Sequence, residues 1–178
     1  YSGTSTYDFT SADSIPPTLN GITVSGNQIE LQFSEALDTT NLPSTARFTV
    51  RVAGVVRTIS ALTAVAGDPT RLQLTLPVTP TGSQTVTVAY TDLTATNDTT
   101  GVVQDAVGND MATTATPVNA DTLSSSVSVT SLAANYTNLI LSGNAAINGT
   151  GNARDNTIKG NSNVNAITGA AGIDSMDG

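Results

Sequence analysis

Four glycines, Gly151, Gly160, Gly169 and Gly178, recur nine residues apart. Set out in nines, three registers align: Gly151–Lys159, Gly160–Thr168 and Gly169–Asp177, with Gly178 opening a fourth. Position one is always Gly. Position six is Asn156, Asn165 and Asp174, and position eight is Ile158, Ile167 and Met176. A unit this short cannot close a core alone, so the pattern dictates a coil of stacked turns. The spacing predicts one short strand in each nine-residue turn, with the position-eight residue pointing inward onto its neighbours. Glycine would open the corner through backbone angles closed to other residues. The Asn or Asp at position six would satisfy corner backbone groups with its side chain.

The preceding chain has a different period. Ile22 and Val24, then Ile29, Leu31 and Phe33, then Phe48, Val50 and Val52, then Leu72, Leu74 and Leu76, then Val86, Val88 and Tyr90 each alternate with polar or small residues. Period-two alternation puts one strand face into a core and the other into water. Asn20-Gly21, Ser25-Gly26-Asn27, Ala53-Gly54, Gly67-Asp68-Pro69 and Pro80-Thr81-Gly82 read as turns between these runs. No segment carries a helical period of useful length, and residues 35–43 have room for one helical turn at most. The expected fold is all-β: an antiparallel immunoglobulin-like β-sandwich over 13–121, entered through Pro16-Pro17, then the first turns of a parallel β-roll over 139–178. Residues 1–12 read as a linker, and 122–138 as a connector with room for one strand.

Composition narrows the function. Fourteen Asp and Glu face six Lys and Arg, for a net charge of −8, which repels nucleic acid and anionic lipid and suits a cation binder. No run approaches a membrane-spanning length. No export signal opens the chain, which reads as an internal piece of a longer protein. The absence of His and Cys removes Ser-His-Asp and Cys-His catalysis, thiolate chemistry and imidazole-bound zinc. A Ser–Lys dyad would need Lys159, placed by the spacing at a repeat corner. Carboxylate pairing of Glu30 with Glu35 or Asp38 is the remaining catalytic arrangement. Glu30 is expected to face solvent, however, and Glu35 and Asp38 to organise the turn after Phe33. The expectation is no enzyme.

Two family resemblances follow. Pro17-Thr18-Leu19, the run Ile29–Asp38, Val86–Asp92 and Val103–Asn109 resemble bacterial immunoglobulin-like repeats of long surface and secreted proteins. That resemblance implies a spacer or adhesive module. The nine-residue registers resemble the calcium-binding nonapeptide repeats of RTX (hemolysin-type) proteins. Gly169, Gly172, Asp174 and Met176 match that pattern, while Ala170 replaces its second glycine. Asn156 and Asn165 stand where the family has Asp, and Arg154 and Asn163 where it has Gly. The resemblance implies calcium at Asp174, Gly172 and Gly169, and makes the two Asn registers a cap on a metal-binding array. It also implies type I secretion and an extracellular or cell-surface location.

A second oxygen-rich stretch, residues 92–110, contains Asp92, Asp98, Asp105, Asn109 and Asp110, with Asp13 placed near the same domain end. Asp105, Asn109 and Asp110 can form a hard-cation site. They can equally be turn residues. The expected partners are calcium ions, neighbouring repeats of a parent chain, and a cell-surface or glycan ligand. Nucleic acid and membrane insertion are excluded by charge and hydropathy. A glycan-binding adhesin is the rival to the calcium-responsive spacer. A chain without Trp and with four Tyr (Tyr1, Tyr7, Tyr90 and Tyr136) offers it few aromatic platforms. A metal-free structural linker is the other rival.

Overall fold

A computed structural model describes residues 13–94, 96–98 and 100–178. The segment read as a linker, with Tyr1 and Tyr7, lies outside the described residues. Seven strands build most of the first unit: β1 (Leu19–Ser25), β2 (Gln28–Phe33), β3 (Phe48–Val52), β4 (Val55–Arg57), β5 (Ala61–Val65), β6 (Asp68–Thr75) and β7 (Val86–Tyr90). A short β8 (Val118–Asn119) follows. Strands β4-β3-β7-β8 form one antiparallel sheet, while β1-β2-β6-β5 form the antiparallel part of a larger one. The chain is all-β, with an antiparallel immunoglobulin-like sandwich leading into a parallel β-coil.

The alternating runs form strands because each buries one face completely. Val24, Ile29, Leu31, Val50, Leu74, Val86 and Val88 have no exposed surface. Each such side chain contributes about 1.5–3 kcal/mol relative to exposure. Tyr90 packs against Phe48 with ring centroids 5.3 Å apart, and its hydroxyl accepts from Val103 N–H at 2.9 Å.

Two expected turns resolve differently. Asn20-Gly21 lies inside β1, where the register with β2 shifts between Leu19 and Gly21 as a bulge. The turn before β6 sits at Gly67 (φ 80°), and Asp68-Pro69 already belongs to the strand. Residues 35–43 hold no helix; a single 3-10 turn follows at Thr45–Arg47.

The coil has six further strands: β9 (Thr122–Ser125), β10 (Asn138–Leu141), β11 (Gly149–Thr150), β12 (Thr157–Lys159), β13 (Ile167–Thr168) and β14 (Ser175–Asp177). Strand β9 pairs parallel with β1, so the larger sheet runs without a break as β14-β12-β10-β9-β1-β2-β6-β5. The stretch from 122 to 138 thus contains β9 and the beginning of β10, within the sheet that joins sandwich to coil. One buried cluster reaches from Val50 and Leu74 in the sandwich to Leu139, Leu141 and Ile158 in the coil.

The nine-residue register survives, but the turn length does not. Ile158 lies opposite Met176, eighteen residues on, and Gly149 opposite Ile167 on the other wall. One full turn therefore uses two registers, each giving a strand to a different wall. The inner column on the sandwich-side wall is Leu123, Leu139, Ile158 and Met176.

Candidate functional site

The repeat glycines are required for space rather than for backbone angle. Gly151, Gly160 and Gly169 are outside the left-handed region. A Cβ on Gly151 would strike Asn156 Oδ1, and one on Gly169 would strike Asp174 Oδ2. On Gly160 it would lie 2.6 Å from Asn165 Oδ1. The position-six side chain folds over the glycine and closes the corner. The left-handed residues of the third register are Ala170 (φ 76°) and Gly172 (φ 117°).

In the first two registers, the corner is a pair of asparagines. Asn156 Oδ1 accepts from Asn152 N–H at 2.8 Å, and Asn152 Oδ1 accepts from Arg154 N–H at 2.9 Å and from the Asn156 amide at 3.2 Å. Asn161 and Asn165 repeat this net at 2.8, 3.0 and 3.1 Å. The same amides reach the preceding turn. Asn152 donates to Ala133 O and Tyr136 O, Asn156 donates to Tyr136 O, and Asn165 donates to Ile147 O. Asn156 is 2% exposed, so these bonds lie away from water. The position-two asparagines escaped the sequence reading. Their signal was present, since Asn152 and Asn161 occupy equivalent places and Ala170 breaks the series.

Register three differs at both positions. Asp174 Oδ1 accepts from Asn156 N–H at 2.9 Å, which ties it to the turn below. It has no amide to donate, and Ala170 supplies no side-chain oxygen. The neighbouring corner contains Gly172, where a Cβ would lie 2.6 Å from Arg154 O. For calcium, which takes oxygen ligands, the two inner corners do not fit: N–H donors already fill the space between carbonyls. The Asp174 corner, a carboxylate folded over Gly169, fits by donor type.

The loop carboxylates separate into two groups. Asp13, Glu35 and Asp105 bring carboxylate oxygens within 4.8 Å of one another. Asn109 belongs with them, donating from its backbone to Asp105 Oδ1 at 2.9 Å and from its amide to Asp105 Oδ2 at 2.7 Å and Asp13 O at 3.2 Å. Asp110 faces elsewhere. It accepts from Asp98 N–H and lines an open hollow of about 420 Å³ with Asp92, Asn97 and Thr113. Glu35 is the member that sequence reasoning missed, and among the described residues no hydrogen bond fixes it to the turn after Phe33. It is brought in by the bridge between Leu37 and Asp105.

Electrostatics distinguish these groups. Desolvation, then the charges of Asp13 and Asp105, raise the Glu35 carboxyl above its ordinary value. Burial pushes Asp105 up, but the Asn109, Val107 and Gly108 donors outweigh it and leave the group below its ordinary value. Burial raises Asp110, and the neighbouring Asp92, Asp98 and Asp105 charges add to this despite the Asp98 N–H.

The remaining candidates are committed elsewhere. Glu30 is mid-strand in β2 and pairs with Arg71 at 2.5 Å. Asp38 does organise its turn, accepting from Thr40 N–H at 2.9 Å and from the Asn41 amide at 3.0 Å. Lys159 ends strand β12 instead of occupying a corner. Tyr90 and Tyr136 are 1% and 0% exposed, so neither presents a ring face. Among the described residues, no helix is long and apolar enough to cross a membrane.

Residues 12–95 match the family described as a putative flagellar system-associated repeat. No immunoglobulin-like or RTX family matches. No curated protein matches the chain. Two similar solved structures are an S-layer protein, rSbsC(31-844), at 12% identity and TM-score 0.46, and domains 1-6 of the surface layer protein SbsC, at 13% and 0.47. They match 59% and 60% of this chain, which spans 13% and 14% of theirs.

Proposed function

We propose that this chain is a non-catalytic structural module of an extracellular or cell-surface bacterial protein, in which the sandwich is the base on which a β-coil is started. The unbroken eight-stranded sheet from β5 to β14 carries this reading. A parallel coil needs a first strand to pair with, since one turn alone cannot bury its apolar residue. Here β1 supplies that strand through β9. The appendage named in the family description agrees with a structural role on the outside of a cell.

Further nine-residue registers of a parent chain are the partner of the coil's outer face. Ile158, with a turn on either side, is fully buried, whereas Met176 is 54% exposed and Ile173 85%. The two Asn registers are a cation-independent cap, held by their own amides. Calcium enters at the Asp174 corner, where the amide donors stop, as in the RTX repeats the registers resemble. When bound, the ion would supply the positive charge that Asn156 and Asn165 supply through N–H groups. Residues Asp174, Gly172 and Gly169 would hold it.

The Asp13–Glu35–Asp105 group supports a second calcium position, since three carboxylate oxygens converge there. Calorimetric titration of the whole chain with calcium, alongside Asp174→Asn and Glu35→Gln variants, tests both. Heat lost with Asp174→Asn places the ion in the coil, and heat lost with Glu35→Gln places it at the sandwich. No heat at millimolar calcium in any of the three defeats the calcium part and leaves the structural part standing.

A further inference from the structure

The exposed large apolar side chains of the described residues fall on three surfaces. Val127, Ile140, Val164, Ile173 and Met176 belong to the coil. The others gather at the two ends of the sandwich. Strands β3 and β7 define these ends: Val52 pairs with Val86 at one, and Phe48 with Tyr90 at the other.

The Tyr90 end is acidic. It carries Asp13, Glu35, Asp92, Asp98, Asp105 and Asp110, all connected by the contacts and charge effects above. Ile15, Leu93 and Val107 stand among them, 69%, 73% and 67% exposed. Arg47 also lies here, near Tyr90, but one cation does not offset six carboxylates.

The Val52 end is the opposite. The Ala53-Gly54 hairpin, with φ of 49° and 78°, turns β3 into β4. No Asp or Glu occurs in residues 50–60 or 76–87. Arg51 donates to Gly54 O at 3.2 Å, and among the described residues neither Arg51 nor Arg57 forms an ion pair. Val55, Val56 and Val78 are 54%, 54% and 66% exposed, beside a groove of about 220 Å³ that Arg57, Pro77 and Gln84 help to line.

We propose that the sandwich associates end to end with a second copy of this chain, Arg51, Arg57 and the valines of one copy seating against the acidic end of the next. Each end offers the charge that the other lacks and both expose apolar side chains, and opposite potentials of this kind guide and register a contact. The contact is heterologous, so each added copy leaves one end of each kind free and the assembly grows as an open string. At the Val52 end the coil touches the loop before β7, where Gly82 O accepts from Ala133 N–H, but Val55, Val56 and Val78 beside it stay more than half exposed. The coil extends the sheet sideways from β1, along the hydrogen-bonding direction, at right angles to the strands.

Sedimentation velocity of the whole chain, from about 10 µM to about 1 mM protein in about 20 mM and about 500 mM NaCl, tests this. The average mass should pass beyond the dimer with concentration at low salt and return to the monomer at high salt. Arg51→Glu/Arg57→Glu, on exposed positions, should weaken association at least about tenfold. Mixed with the unaltered chain, it should also shorten the strings, because its intact acidic end caps them. Asp92→Lys/Asp98→Lys should weaken association equally from the other side. A chain that remains monomeric, that stops at a dimer, or that associates despite Arg reversal until Ile173 and Met176 are made polar would overturn the proposal.

Discussion

Val24 of the sandwich and Leu123 of the coil lie opposite one another in a parallel strand pair. Val24 faces Ile29 on its other side in an antiparallel pair. One strand therefore belongs to two kinds of sheet, and the change of architecture occurs within a hydrogen-bonded ladder. The coil rests on the sandwich core, and changes at the seam should loosen both.

Gly82 is the most sensitive seam position. A Cβ there would lie 2.9 Å from Val129 Cγ1 and 3.2 Å from Leu123 Cδ2, and Gly82 O accepts from Ala133 N–H. Gly82→Ala should cost about 1–3 kcal/mol through overpacking. Denaturant unfolding measures the loss, and amide exchange at Leu139–Leu141 should accelerate with it.

Two substitutions in the repeat should act in opposite directions. Ala170 carries a side chain at φ 76°, so Ala170→Gly should stabilise by roughly 0.5–1 kcal/mol. Gly151→Ala places a methyl group against Asn156 Oδ1 and Gly169 O, and should destabilise by at least about 2 kcal/mol. Thermal melts of the two variants check the sign of each effect.

Asn156→Asp exchanges an amide donor for a carboxylate facing the carbonyl of Tyr136. At 2% exposure the unpaired charge should cost about 2–4 kcal/mol in chelator. Under the calcium reading, millimolar calcium should restore much of that loss. Asn156→Ala loses those donor bonds and the Oδ1 acceptor as well and should show no recovery, so paired melts with and without calcium separate the two causes.

The acidic end sets a pH dependence. Glu35 and Asp110 titrate above their ordinary values of 4.5 and 3.8, so the folded chain holds these protons more tightly than the unfolded one. Their contribution to stability falls as pH rises through their folded values, and is recovered on acidification. Asp38, Asp68 and Asp105 are held low, and their contribution is lost as pH falls below 3.8. Melting temperature should peak in the mildly acidic range and decline on both sides. Glu35→Gln should flatten the neutral-side decline. A melting temperature that rises steadily from about pH 5 to pH 7 would contradict this assignment.

The legible parts of the fold were those with a buried face. Ile29, Leu31 and Phe33 announce β2, but Val55–Arg57 is exposed throughout and carries no alternation, so β4 was invisible. Asn20-Gly21 resembles a turn because the same residue types make bulges. Glycine spacing revealed the registers, yet it could not show that two registers make one turn, because each register looks the same on either wall. Asp105 and Asn109 were legible as neighbours. Glu35 was not, because only the pairing of Leu37 with Asp105 brings it there.

Amide hydrogen exchange across the whole chain tests the central claim, that sandwich and coil are one body joined at β1 and β9. The protected amides of Val24, Leu139 and Ile158 should share one opening free energy, and Gly82→Ala should lower all three together. Exchange of Leu139 and Ile158 while Val24 stays fully protected would show a coil that opens by itself, and would contradict it.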